Sequence, residues 1–249
     1  MMREETVFGP IFSRRLGSSL GINLLPRNGK VCNFDCIYCE CGWNKDGLGD
    51  RSLPTAADVC EALDAKLREC AAAGTPIDSI TFSGDGEPTL NPEFPEIVDL
   101  TLELRDRYFP AARVSVLSNA TMAYKDRVFR ALAKVDNPIL KLDAPTDGEV
   151  ALINRPVGHY SVSAVVESLE RFQGQFVLQT MFLKAPEFRS GDWVAGWMDL
   201  VRRVRPREIM VYTIDRETPM KGLQKYTVEE MRALVQPLID EGYNIQIKG

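Results

Sequence analysis

The sequence predicts an α/β fold on a mainly parallel sheet, and three observations carry that expectation. Six strand-like runs alternate with helical ones between Ser19 and Glu241, an order that demands right-handed crossovers. The runs Ile80–Phe82, Val114–Leu117, Phe176–Leu183 and Ile209–Ile214 are apolar without clean alternation, as strands covered on both faces are. A length of 249 residues suits one large alternating unit as well as two domains, and no linker, repeat or low-complexity tract marks a boundary. A doubly wound sheet and an open or closed barrel both satisfy the pattern. Either gathers its chemistry at the carboxyl ends of the strands.

Each element has its own signature. Ser19–Leu24 reads as a short strand that runs into a loop rich in Gly, Asn and Cys. Pro54–Ala73 reads as a helix: Pro54 suits a first turn, Val59, Leu63 and Leu67 recur at helical spacing, and Gly74 then Pro76 end it. Ser79–Ser83 is strand-like, and Gly84-Asp85-Gly86-Glu87-Pro88 must form a loop. Phe94–Tyr108 is helical, with Ile97, Leu100, Leu104 and Tyr108 along one side. Strand Val114–Leu117, helix Lys125–Val135 and strand Pro138–Leu142 follow. A helix over Val162–Phe172 leads to strand Phe176–Leu183. Helix Trp193–Val204, strand Ile209–Ile214, helix Val228–Glu241 and a terminal strand over Tyr243–Ile247 complete the order.

Composition excludes several chemistries. Apolar residues make up 45% and charged ones 26%, an ordinary globular balance. Thirty Lys and Arg against 35 Asp and Glu leave a net charge of −5, which argues against a protein coated for phosphate binding. The single histidine, His159, rules out two-histidine zinc and iron sites and reads as a structural or rim residue. The N-terminus has no apolar run suited to a signal peptide, and no stretch approaches ~18 apolar residues. A cytoplasmic setting is therefore expected, with cysteines reduced and available as ligands.

Three of the six cysteines are closely spaced. Cys32, Cys36 and Cys39 read C-x3-C-x2-C just after the first strand, in a cluster loop over residues 31–41. Three thiolates in eight residues can converge on one centre, and a [4Fe–4S] cluster so held keeps one iron free of cysteine. Zinc with Cys41 as fourth ligand is the alternative, although zinc sites mostly use two separated pairs. Cys60 and Cys70 lie within the first helix and read as packing residues.

This pattern, with aromatic Tyr38 before the last cysteine, resembles the signature of radical S-adenosylmethionine enzymes. Ser83-Gly84-Asp85-Gly86-Glu87-Pro88 falls after the second strand, where that superfamily carries Gly-Gly-Glu-Pro; Asp85 is a departure without an assigned role. A narrower similarity links Phe8-Gly9-Pro10, Ser13–Gly17, Lys141–Ala144 and Ile153-Asn154-Arg155-Pro156 to iron–sulfur oxidoreductases related to wyosine-forming tRNA enzymes. The resemblance implies a partial (β/α)6 barrel as one domain over residues 1–249. It also implies a [4Fe–4S] cluster on Cys32, Cys36 and Cys39, with S-adenosylmethionine held on its fourth iron. The 83–88 loop would receive that cofactor: Gly84 and Gly86 allow close backbone approach, Ser83 flanks them, and Glu87 either supports the amine contact or caps the helix after Pro88. Tyr38 packs on adenine or within its loop, and Ser118 and Asn119, ending the third strand, face the cofactor or form a turn.

On the fourth strand Lys141 and Asp143 lie two apart and share a side, where they pair or face substrate. Arg155 can meet an anion or stay solvated. Gln179, Met181 and Leu183 share a face, the last two as core. Arg202, Arg203, Arg205 and Arg207 form a basic run that reads first as a solvated face and second as a nucleic-acid contact. The expected activity is reductive cleavage of S-adenosylmethionine to methionine and a 5′-deoxyadenosyl radical, fed by a donor such as flavodoxin or ferredoxin. The substrate is open, and the branch suggests a tRNA base. A glycyl-radical activating enzyme acting on a protein partner and a non-catalytic iron–sulfur or zinc binding module are the competing readings.

Overall fold

The computed structural model describes residues 5–13, 16–27, 29–47, 51–185 and 192–249. Arg14 and Arg15 of the N-terminal motif lie outside them. The chain divides into two compact units, Met1–Cys32 with Asn44–Ser118 and Lys125–Pro138, and Asn33–Trp43 with Asn119–Tyr124 and Ile139–Gly249.

The first unit opens with two strands, β1 (Val7–Ser13) and β2 (Gly17–Ile22), paired antiparallel. Then come α1 (Ala56–Ala73), β3 (Ser79–Phe82), α2 (Phe94–Tyr108), β4 (Arg113–Ser118) and α3 (Asp126–Lys134). Strands β2, β3 and β4 run parallel, with Leu20 opposite Ile80 and Ile80 opposite Val114. Sequence reasoning missed β1, because Gly9 and Pro10 interrupt its pattern. It also placed Pro54 inside α1. Thr55 is instead the cap: its hydroxyl accepts from Asp58 N at 3.2 Å, and Asp58 Oδ2 accepts from Thr55 N at 2.8 Å. Gly74 ends α1 in the left-handed conformation, φ 66°.

The strands alternate more than the sequence suggested. Leu20, Ile22, Ile80, Phe82, Val114 and Val116 are fully buried on one face. Val59, Leu63 and Leu67 of α1 and Phe94, Ile97 and Val98 of α2 are buried as well, each contributing about 2 kcal/mol. The opposite face carries hydroxyls. Thr81 Oγ1 lies 2.8 Å from Ser19 Oγ and 3.1 Å from Ser79 Oγ, and Ser79 Oγ lies 3.3 Å from Ser115 Oγ. Small hydroxyl residues disguise alternation in a hydropathy reading, because Ser and Thr count as neither charged nor apolar.

The second unit holds β5 (Asn137–Lys141, entering at Ile139), α4 (Asp147–Ile153), α5 (Val162–Glu170), β6 (Val177–Met181), β7 (Leu183–Lys184), α6 (Trp193–Val204), β8 (Glu208–Tyr212), β9 (Gln224–Lys225), α7 (Val228–Asp240) and β10 (Ile245–Lys248). Its parallel strands follow the order β5, β6, β8, β10, and β7 pairs antiparallel with β9. Six strand-to-helix units thus run in chain order as expected, and β10 supplies the terminal strand. The predicted strand Phe176–Leu183 breaks at Phe182, whose ring is met by Trp193, Trp197 and Tyr226 at 4.9, 5.3 and 6.3 Å. Phe182 N still donates to Tyr212 O at 2.8 Å, and past that ring Leu183 and Lys184 pair with β9 instead. Helix α4 was not foreseen; at seven residues it is too short for a periodic signal.

Candidate active site

In the first unit the loop after β3 is fastened to the stretch that leads into Cys32. Val31 N donates to Asp85 O at 3.2 Å and Glu87 N donates to Val31 O at 3.0 Å. The two glycines make this closeness possible. A Cβ on Gly84 would stand 2.0 Å from Asn23 Oδ1, and one on Gly86 1.9 Å from Val31 O, with Gly86 at φ 142°. Their freedom therefore serves packing within the chain. Asn23 is fully buried at the end of β2; its Oδ1 accepts from Leu25 N at 3.2 Å and Asp85 N at 3.3 Å. Its Nδ2 is buried with no hydrogen-bond partner among the described residues. Glu87 is 2% exposed, and its Oε1 accepts from Thr89 N at 3.1 Å, from the Thr89 hydroxyl and from Ser118 Oγ at 2.8 Å. It caps the short turn Pro88–Leu90 and holds Ser118 at the end of β4. Ser83 N donates to Ile22 O at 3.1 Å, which ties the loop's start to β2.

In the second unit Cys36 and Cys39 share one turn, with Cys39 N donating to Cys36 O at 3.1 Å and Gly42 N to Cys39 O at 3.0 Å. Tyr38, between them, is buried. Its hydroxyl donates to Asp143 Oδ2 and accepts from Asn154 Nδ2 at 3.0 Å. Asn154 Nδ2 also lies 2.7 Å from Asp143 Oδ2 and 3.4 Å from Cys36 Sγ. Met181 N donates to Asp143 Oδ1 at 2.9 Å, so both carboxylate oxygens are engaged.

Lys141 Nζ stands 3.7 Å from Asp143 Oδ2 and donates to Tyr212 Oη at 2.7 Å, between the rings of Tyr38 and Tyr212 at 5.3 and 5.2 Å. Lys141 ends β5 and Asp143 lies two residues past it, off the strand, yet the i, i+2 spacing does bring the two together. Burial alone would drive the Lys141 ammonium toward neutrality. Asp143 and Tyr212 outweigh it and raise its pKa, so the charge is kept. Burial raises Cys36 to about 11, against the pull of Lys141, and burial followed by the Asp143 charge holds the Tyr38 phenol well above its usual range.

Asn119 belongs to a closed polar ring beside the cysteine loop. Asn33 Nδ2 donates to Thr121 Oγ1 at 2.6 Å, Thr121 Oγ1 to Asn119 Oδ1 at 2.6 Å, and Asn119 Nδ2 to Asn33 Oδ1 at 2.7 Å. Asn23, Asn33, Thr121, Asn154 and Tyr212 escaped the sequence reading as site residues. Only Asn154 gave a signal, as part of the motif at 153–156. His159 is exposed and lines a cavity of about 380 Å³ with Phe34, Tyr124 and Tyr160. Two arginines of the run are ion-paired: Arg202 meets Glu241 at 2.7 Å and Asp199 at 2.8 Å, and Arg203 meets Glu170 at 2.7 Å. No helix is long and apolar enough to cross a membrane among the described residues. Cys70 is buried within α1, while Cys60, half-buried, faces a surface cavity.

Six β/α units in chain order, with a cysteine-bearing loop between β2 and α1, define an α/β protein. The chain belongs to the Radical SAM superfamily, whose family model matches residues 29–182. The UPF0026 protein slr1464 of Synechocystis is 31% identical over 226 residues, 88% of this chain and 78% of its own. A Brachyspira hyodysenteriae protein named GTPase Obg is 29% identical over 92% of this chain, which spans only 33% of that relative's length. Among solved structures, a radical SAM methyltransferase from Sphaerobacter thermophilus matches with TM-score 0.68 and 17% identity, over 92% of this chain and 65% of that one. TYW1 with a lysine-pyruvate adduct bound matches with TM-score 0.65 and 15% identity, over 92% and 76%. These last two likenesses concern the fold.

Superfamily members use a [4Fe–4S] cluster and S-adenosylmethionine, and the residues present fit both. All six cysteines are thiols outside any disulfide, and Cys36 Sγ already has an amide donor. Among the described residues no group of three or more His, Cys, Asp or Glu side chains is gathered to hold a metal ion, so the fit is one of donor chemistry. For S-adenosylmethionine the fit lies in the free, buried donor Asn23 Nδ2 beside the 83–88 loop, where an accepting ligand group would satisfy it.

Proposed function

We propose that residues 1–249 act as one radical S-adenosylmethionine domain that abstracts hydrogen from a substrate bound beside Lys141. Cys32, Cys36 and Cys39 are the cluster ligands in this reading. Ser83, Gly84, Gly86, Glu87, Tyr38, Ser118 and Asn119 shape the place for S-adenosylmethionine. When bound, the pair supplies a one-electron cleavage that releases methionine and a 5′-deoxyadenosyl radical. Glu87 acts by bracing the loop through Thr89 and Ser118, and Tyr38 by packing under the hydrogen bonds of Asp143 and Asn154. A one-electron donor such as flavodoxin or ferredoxin, in the cytoplasm, would feed the centre.

The observation that carries the substrate side is Lys141. Its side chain is 15% exposed, keeps its charge, and is aimed by Asp143 and Tyr212. A held ammonium suits a carboxylate, phosphate or carbonyl oxygen of the substrate. It does not suit attack on a ketone, which needs the free amine. A lysine–pyruvate adduct of the kind seen in TYW1 is thus not the resting chemistry of Lys141. Pairing of Arg202 and Arg203 with acids likewise weakens the case for a phosphate-backbone substrate such as tRNA.

Anaerobic reconstitution followed by dithionite and S-adenosylmethionine tests the chemistry. Methionine and 5′-deoxyadenosine are expected, and Lys141→Met should retain this substrate-free cleavage. A fully loaded cluster that leaves S-adenosylmethionine intact would overturn the proposal in favour of a binding module.

A further inference from the structure

The stretch Ile153–Val157 lies along the cysteine loop as a backbone rail. Val157 N donates to Asn33 O at 2.8 Å, Asp35 N to Asn154 O at 2.9 Å, and Ile37 N to Ile153 O at 2.9 Å. Farther along, the Arg155 guanidinium stacks 4.9 Å from the Trp43 ring, with Arg155 itself in the left-handed region at φ 48°. The rail therefore meets the loop at residues 33, 35, 37 and 43. Asn154, 1% exposed, is fixed at its centre by two main-chain bonds, since its own N–H donates to Val150 O at 2.8 Å.

With its backbone fixed, the Asn154 side chain has a defined task. Its amide nitrogen carries two hydrogens. The 2.7 Å contact to Asp143 Oδ2 takes one, and the other is left for Tyr38 Oη at 3.0 Å and Cys36 Sγ at 3.4 Å. Asp143 is anchored in turn by Met181 N, so the amide cannot swing away from the sulfur without breaking a buried charge-assisted bond.

We infer that Asn154 is a positioning residue that sets how readily the cluster on Cys36 accepts an electron, by donating an N–H···S hydrogen bond to that sulfur. This rests on the proposed reading of Cys36 as a cluster ligand. A donor to a ligand sulfur stabilises the state with more negative charge, which is the reduced one, and hydrogen bonds to sulfur are among the levers that set cluster potentials. An amide also does this without titrating, so the effect holds across pH.

The test is potentiometry on the reconstituted protein, followed by electron paramagnetic resonance of the reduced cluster. Asn154→Leu keeps the side-chain size and removes both donors. At a fixed potential near the wild-type midpoint, its ratio of reduced to oxidised cluster should fall about tenfold, which for one electron is 59 mV. Asn154→Ser, less demanding on packing, should shift the same way. In the wild-type protein an exchangeable proton coupled to the reduced cluster should disappear in D2O, and the variants should lack that coupling. Midpoints unchanged in the variants, or a wild-type cluster without that proton, would overturn the inference. A wild-type chain that binds no cluster would instead overturn the reading on which it rests.

Discussion

Gly86→Ala is expected to be among the most damaging single-methyl additions to this chain. Gly86 holds φ 142°, a region nearly closed to other residues, where an alanine costs about 1–3 kcal/mol. Its new Cβ would stand 1.9 Å from Val31 O and 2.6 Å from Val31 C. Both are main-chain atoms, so relief requires parting the loop from the stretch before Cys32. That breaks Glu87 N to Val31 O and Val31 N to Asp85 O, about 1 kcal/mol each. The sum is about 3–5 kcal/mol, which for a chain of this size lowers the melting midpoint by roughly 10 °C. Urea unfolding checks it, with a lower midpoint at unchanged slope. Gly148→Ala is the control: nothing lies within 4 Å of its Cβ, and the change should be neutral or stabilising by about 0.5–1 kcal/mol. Gly84→Ala separates the two mechanisms. Its clash is with the side chain of Asn23, so Asn23→Ala should recover part of the loss, whereas no side-chain change should rescue Gly86→Ala. Stability of Gly86→Ala within about 1 kcal/mol of wild type would mean that neither the strain nor the broken bonds arise.

Three further outcomes follow from the geometry. Burial raises the Tyr160 phenol above its ordinary range, so its contribution is complete below pH 10 and is lost as pH climbs above that; Tyr160→Phe should shift alkaline unfolding, followed by circular dichroism, to higher pH. Arg202→Ala and Arg203→Ala should leave binding to any RNA and its salt slope unchanged in filter assays, because acids already neutralise both guanidinium groups; a weaker, flatter salt response would restore a nucleic-acid role. Pyruvate with cyanoborohydride at neutral pH should leave Lys141 unmodified by peptide mass mapping, since a protonated amine does not attack a ketone; a trapped adduct at Lys141 would remove the case for a held ammonium.

The chemistry-bearing stretches were more legible in the sequence than their supports. Lys141 and Asp143 could be placed together because strand periodicity is local: two positions apart means one side. The β/α order was legible for the same reason, with Val59, Leu63 and Leu67 announcing α1 unaided. Asn154 and Tyr212 were not, because their partners are 118 and 71 residues away and no spacing rule reaches across β/α units. Gly84 and Gly86 show a subtler gap. The sequence told that backbone must come close there; only the fold shows Asn23 and Val31 as what it comes close to. The hydroxyl face of β2 to β4 was hidden by residue types that suit both water and a satisfied interior.

The ring of Asn33, Thr121 and Asn119 closes through three side-chain hydrogen bonds, Asn119 Oδ1 accepting also from Thr121 N at 3.1 Å, and not one of its members ionises. It can therefore hold the start of the cysteine loop without adding a field of its own. Protons, salt or a passing electron give it nothing to respond to. A clamp made from a salt bridge would tighten or slacken with each of these; this one behaves as a fixed fitting, and the field at the neighbouring Cys36 sulfur comes from Lys141, Cys39 and Asp143 instead.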